Sequence, residues 1–203
     1  NQPYGRVWDL ITEQTYPAGH PYSWSVIGSM EDLDAASLED VHDWFRSYYG
    51  PNNAVLSIAG DVTVAEAREK VERWFGSIPP GPPIARHETW VAKMTGEKRG
   101  RYEDRVPQPR LHMVWNVPPT GSPELDLLGL AAAVLAEGKS SRFYKRLVYD
   151  DQIATDVAAF AFGKEIGGQM IIMATARPGG DLAAVEKALR EELARFLAGG
   201  PTA

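Results

Sequence analysis

Residues 77–87, SIPPGPPIARH, carry four prolines and one glycine. Proline fixes φ and removes an amide donor, so neither a helix nor a sheet ladder runs through such a segment. It reads as a linker and divides the chain in two. The boundary falls near residues 78–87. Residues 1–80 form the first part, 81–87 the linker and 88–203 the second part. At 203 residues the chain has room for one large or two small domains.

Before the linker, Val7, Trp8, Leu10, Ile11 and Gln14 give residues 4–16 a partly apolar helical face, closed by Pro17. This helix starts abruptly, without a leader and without Met at position 1, and reads as cut from something longer. Residues 20–36 read as irregular. Ser37 and Asp40 approximate a capping box for a helix with Leu38, Val41, Trp44, Phe45 and Tyr48 on its apolar face. Asn53 to Gly60, NAVLSIAG, reads as a buried-type strand of small and branched residues. Thr63 and Glu66 cap another helix that runs to Phe75.

Past the linker, residues 88–94 and 101–106 read as short strands. Arg110 to Val117 reads as a better one, with Leu111, Met113 and Trp115 on one face. Ser122, Pro123, Glu124 and Asp126 mark the start of a helix through Glu137. A second helix is expected from about Ser140 to Tyr149. Thr155–Phe162 and Gln169–Ala176 read as two strands around a Gly163–Gly168 turn, and Asp181 opens a last helix through Leu197. This order predicts an α+β fold with helices on one face of a mostly antiparallel sheet.

The net charge of −6 and the lack of a dense Lys/Arg stripe argue against a nucleic-acid partner. No apolar run reaches the roughly 20 residues needed to span a bilayer, so no membrane partner is expected. The absence of cysteine excludes disulfides, thiolate metal sites and a cysteine nucleophile. It does not fix the compartment.

Gly138-Lys139-Ser140 matches the end of a phosphate-binding loop. That motif needs a glycine five residues earlier, where Ala133 stands, and a preceding strand, where helical spacing is found. Gly138 is better read as the stop of the helix before it. The four histidines, His20, His42, His87 and His112, include no i, i+4 pair suited to zinc. His20 reads as a turn residue bonded to backbone, His42 as a surface residue, and His112 as pointing to solvent. Ser140 and Ser141 lie outside a G-x-S-x-G frame, and Ser140 reads as a helix N-cap. The residues themselves supply no catalytic constellation.

The order of several short motifs says more. In the first part these are Asn1-Gln2-Pro3-Tyr4-Gly5, His20-Pro21-Tyr22, Ile27-Gly28, Tyr48-Tyr49-Gly50-Pro51-Asn52-Asn53-Ala54, Ile58-Ala59-Gly60-Asp61 and Phe75-Gly76-Ser77-Ile78-Pro79. In the second they are Gly138-Lys139-Ser140-Ser141-Arg142-Phe143-Tyr144 and Leu147. In this order the chain resembles the M16 zinc metallopeptidases, the pitrilysin, insulinase and mitochondrial-processing-peptidase family. It looks most like bacterial members whose halves are separate or short chains.

The resemblance implies two related α+β halves, both incomplete here. It implies a parent metalloendopeptidase in which zinc-activated water hydrolyses peptide bonds of a peptide or unfolded-protein substrate. The family's zinc motif, His-x-x-Glu-His, does not occur in this sequence, and the third ligand would fall shortly before Asn1. No catalytic residue, no metal ligand and no cofactor are therefore assigned to this segment. Arg142 and Tyr144 match a common family pattern and are the substrate-cleft candidates, with helix packing as their alternative role. The resemblance further allows a homodimer or heterodimer with another M16 chain, or a noncatalytic partner subunit, and it favours the periplasm over the cytoplasm.

Overall fold

The computed structural model describes residues 3–201. The chain divides into two compact units. One comprises Asn1–Ser25 with His87–Ala203, the other Val26–Arg86. The second cut falls inside the expected linker. The first cut falls after Ser25, so the N-terminal helix and the turn that follows it group with the second part of the chain rather than with the rest of residues 1–80.

The larger unit is built on three antiparallel strands in the order β1-β3-β2: β1 (Arg110–Val117), β2 (Ala154–Gly163) and β3 (Gly168–Ala176). β2 and β3 form a hairpin, closed where the Lys164 amide donates to the Gly167 carbonyl at 2.9 Å. Gly163 is needed at this turn, because a Cβ there would collide with Leu125 and Thr120. β1 lies along the other edge of β3, with Met113 opposite Ile172 and Leu111 opposite Ala174, and a long crossover carries the chain from β1 to β2.

Because side chains alternate across a strand, β3 presents two apolar faces, and both are covered. On one face lie α5 (Pro123–Ala136), α6 (Tyr144–Asp150) and α7 (Leu182–Gly199). Leu135, Phe143, Leu147, Val185 and Leu189 meet Met113, Val157, Ile172 and Ala174 there in a single buried cluster. On the opposite face lies α1 (Val7–Thr15), whose Trp8 ring approaches His112 and Phe160 at 6.4 and 6.5 Å. The sheet is thus the middle layer of three, where the sequence pattern had suggested helices on one side only.

Local signals explain these helices. Ser122 accepts from the Leu125 amide and caps α5, and Asp181 accepts from the Ala183 amide and caps α7. Gly138 takes φ of +75° after α5, the left-handed stop expected of it. The next helix differs from expectation. Ser141, not Ser140, turns the chain, with its hydroxyl donating to the Gly138 carbonyl at 2.7 Å. α6 then widens, so that the Asp151 amide reaches back five residues to the Arg146 carbonyl.

The smaller unit holds α2 (Met30–Ala35), α3 (Leu38–Tyr48) and α4 (Val64–Phe75). The Ser37/Asp40 and Thr63/Glu66 capping boxes are both formed. α2 lies within the stretch read as irregular, started by Ser29, which accepts from the Asp32 amide at 3.0 Å. The end of α3 is fastened to the proline-rich stretch by Asn52, whose side chain accepts from the Gly81 amide at 2.7 Å and donates to its carbonyl at 3.1 Å. Gly50 faces Gly81 so closely that no Cβ would fit.

Three expected strands are not formed. Residues 88–94 are bonded at isolated points, the Trp90 amide to the Ile166 carbonyl and the Asn116 side chain to the Ala92 carbonyl, with no ladder. In 101–106 the chain satisfies amides locally. The Val106 amide donates to the Asp104 carbonyl and the Arg105 amide to the Asp104 side chain, which competes with strand pairing. Residues 54–59 pair with nothing among the described residues.

Candidate functional site

Two constellations in the larger unit gather charged or titratable side chains around a buried one, His20 in the first and Glu192 in the second. The first surrounds His20. Pro17 stops α1, and the Pro17 carbonyl accepts from the His20 amide, so the chain turns and drives the imidazole inward until it is fully buried. The Tyr22 amide donates to His20 Nδ1 at 3.0 Å. Nδ1 therefore carries no proton, and Nε2, 3.0 Å from the Trp90 carbonyl, is the donor of a neutral ring. Tyr16 stacks on this ring at 4.6 Å and Trp90 lies 4.3 Å from it. His20 is thus bonded to backbone through both nitrogens, as its turn position suggested, and has no lone pair left for a metal.

Lys164, from the β2–β3 turn, closes the cluster. Its ammonium lies 4.5 Å from the centre of the Tyr22 ring and 5.6 Å from that of Tyr16. Burial pulls the Lys164 amine below its ordinary pKa. Burial also pushes the Tyr16 phenol up to about 12, with a smaller contribution from Tyr22. The Tyr16 hydroxyl has no hydrogen-bond partner among the described residues. Sequence reading missed this cluster, because Tyr16, His20, Tyr22, Trp90 and Lys164 follow no periodic spacing. Only the packing of α1 and the β2–β3 turn collects them.

The second constellation contains the cleft candidates. Arg142 lies just ahead of α6, and its guanidinium turns toward α7. Nε donates to Glu192 at 2.7 Å, Nη1 donates to the Gly200 carbonyl at 3.2 Å, and the guanidinium carbon lies 5.7 Å from the centre of the Phe196 ring. Glu192 is buried, and its other oxygen accepts from Arg195 at 3.3 Å. Four residues on, Arg146 binds Asp151 and Glu191. Tyr144 is half-buried against the rim of the apolar cluster. These side chains fasten α6 to α7.

His112 departs from expectation. It was read as facing solvent because it alternates with core residues, but the face it points to is covered by α1. Burial, reinforced by Arg110, pulls its pKa from 6.5 down to about 4. An unfolded chain takes up a proton on this ring as pH drops through its ordinary value, while the folded one resists. Stability is therefore full above about pH 6.5 and declines as pH falls toward 4. The loss is about 1–2 kcal/mol after discounting for residual solvent contact. In urea unfolding at pH 7 and pH 4.5, a His112→Phe variant is expected to lose that part of the pH dependence. Equal pH dependence in the two proteins would remove His112 as its source.

His42 and His87 are exposed. Among the described residues no three His, Asp or Glu side chains converge as metal ligands. The donor set present does not fit a zinc ion. The Ser141 hydroxyl is committed to the Gly138 carbonyl.

The family described as peptidase M16 inactive domain matches residues 35–203. A Helicobacter pylori relative named zinc protease PqqE is 25% identical over 202 residues, spanning 97% of this chain and 44% of the relative. The crystal structure of a Helicobacter pylori protease superposes with a TM-score of 0.79 at 23% identity, covering 100% of this chain and 49% of that one. A peptidase M16 inactive domain from Pseudomonas fluorescens gives 0.78 at 18% identity, with 96% and 46% covered. The chain therefore spans about half the length of these proteins.

Proposed function

Because the chain belongs to the peptidase M16 family through its inactive-domain match, we propose that it is the noncatalytic part of a zinc-dependent metalloendopeptidase. The observation that carries this reading is the match to the inactive domain over residues 35–203. In the longer polypeptide, zinc held elsewhere would activate water for peptide-bond hydrolysis. This segment supplies a folded wall for a peptide or unfolded-protein substrate. In this proposal residues 1–80 end the first M16-like half, 81–87 link, and 88–203 begin the second. The cleft assignment of Arg142 and Tyr144 stays within it. With the guanidinium engaged by Glu192 and Gly200, their part is to hold the Gly138 loop and α6 in place beside the substrate. We place the protein in the periplasm on family resemblance.

A second reading is supported by the same match to an inactive domain. The chain then belongs to a noncatalytic subunit that binds peptide or scaffolds an active M16 chain as a homodimer or heterodimer.

The test uses the 203-residue chain and the longer polypeptide encoded with it. Metal analysis is expected to find no stoichiometric zinc in the short chain. The longer polypeptide is expected to bind one zinc and to hydrolyse an unfolded peptide until a chelator removes the metal. A longer polypeptide without zinc and without hydrolysis would replace the first reading by the second. One zinc held tightly by the 203-residue chain itself would overturn both.

A further inference from the structure

We propose that Lys164 is an acylation site, whose amine attacks the carbonyl of short acyl thioesters from within the ring cluster of Tyr16, Tyr22 and Phe162. The proposal stands on the geometry of this cluster and is independent of the peptidase reading.

Lys164 differs from the other lysines in its surroundings. The chain has seven, and six of them are exposed, whereas Lys164 is half-buried. The β2–β3 turn fixes its backbone on both sides. The Lys164 amide donates to the Gly167 carbonyl and the Lys164 carbonyl accepts from the Thr120 amide, both at 2.9 Å. Its ammonium lies among three rings, 4.5 Å from the centre of Tyr22, 5.6 Å from that of Tyr16 and 5.9 Å from that of Phe162. Those rings are themselves held. The Tyr22 hydroxyl accepts from the Ile166 amide at 3.2 Å. Tyr16 stacks on His20 and meets Tyr22 edge-on at 5.7 Å.

What surrounds the nitrogen decides its chemistry. An ammonium has three donors and needs acceptors or a counter-charge. Lys98 donates to the Gln14 carbonyl, and Lys187 lies 4.0 Å from Glu191. Among the described residues Lys164 has only the three rings. Nothing in the cluster supplies negative charge to keep the amine protonated. His20 is neutral, and the Tyr16 phenol, pushed up to about 12, keeps its proton. The adjacent Glu165 is exposed and has no part in lowering the amine's pKa. The rings attract a cation, but less strongly than the water they displace. Burial is therefore what pulls the Lys164 amine down. A lysine desolvated in this way carries more of its uncharged, nucleophilic form at neutral pH than a surface lysine does.

The matching electrophile is one that an uncharged amine attacks unaided. With a thioester the N–C bond forms and the C–S bond breaks. The thiolate leaves with that electron pair and takes up the proton lost from nitrogen, so the products are an amide and a thiol. The amide is uncharged and stays among the rings without the desolvation cost of an ammonium. Phe162, 54% exposed, is the outermost of the three rings, and a short acyl group reaches the amine past it.

Competitive acetylation of the native polypeptide that contains these residues tests the proposal. The probe is N,S-diacetylcysteamine at pH 7, stopped early. Denaturation and complete labelling with deuterated acetic anhydride follow, and peptide mass spectrometry reads the isotope ratio at each lysine. Lys164 is expected to react at least about fivefold faster than the median of the six exposed lysines. Its rate should level off at a lower pH than theirs, since an amine with a lowered pKa is fully uncharged sooner. Phe162→Glu puts a carboxylate beside the amine at an exposed position and should bring Lys164 down to the rate of the exposed lysines. Phe162→Leu keeps the wall apolar and should leave Lys164 fast. A native Lys164 that reacts no faster than the exposed lysines would overturn the proposal, and so would a pH profile parallel to theirs. A fast Lys164 indifferent to Phe162→Glu, in a variant with native near-UV circular dichroism, would remove the ring cluster as the cause and the proposal with it.

Discussion

A Glu192→Ala variant will lose about 3–5 kcal/mol of stability in the unit that contains the sheet, because it strands a buried guanidinium. The Arg142 and Glu192 side chains are 19% and 9% exposed, so water replaces the missing carboxylate only in part. The remaining partner of Arg142, the Gly200 carbonyl, carries no formal charge. Removing both charges behaves differently. An Arg142→Met, Glu192→Leu double variant deletes the desolvation cost together with the attraction, and is expected to lie within about 1–2 kcal/mol of the native chain. Urea unfolding of the native chain, Arg142→Met, Glu192→Leu and the double variant measures the coupling. A Glu192→Ala loss below about 1 kcal/mol would mean the pair is screened as surface pairs are, and would return Arg142 to the pool of residues free to meet a substrate.

Phe143→Ala is the second large effect. The ring is fully buried where α6, α5, α7 and the sheet meet, beside Leu135, Leu147 and Leu189. Truncation removes the apolar transfer energy of the ring and leaves a cavity that surrounding elements cannot all collapse into, a cost of about 3–5 kcal/mol. Against a typical domain stability of about 5–15 kcal/mol, this takes a large share of the total. Thermal unfolding followed by near-UV circular dichroism will show it as a lowered midpoint. Phe143→Leu keeps most of the volume and is expected to cost much less. If Phe143→Ala cost no more than Phe143→Leu, the neighbours would be free to close the gap, and the assignment of Phe143 to the centre of the core would fail.

These two neighbours in sequence show what a one-dimensional reading reaches. The stretch Gly138–Tyr144 identified the family, and its place between two helices was legible from the spacing of apolar residues and from Gly138 as a helix stop. The division of labour inside it was not. Phe143 is core and Arg142 is an ion-pair anchor, because both depend on where α7 lies about fifty residues later. His112 makes the same point. Alternation correctly placed it opposite Met113, but alternation does not say whether the opposite face is bare.

The capping boxes, the starts of α3, α4, α5 and α7 and the β2–β3 hairpin were set by the sequence itself. Each arises from bonds or steric limits between residues a few positions apart, and such interactions are written in local order. The tertiary structure alone decided that α1 covers the second face of the sheet, that Tyr16, Tyr22 and Trp90 gather with His20 and Lys164, and that Arg142 pairs with Glu192. Those depend on long crossovers that bring distant segments together. Residues 54–59 stand between the two cases. Their composition specifies a buried strand, and a strand becomes one only when another backbone lies beside it.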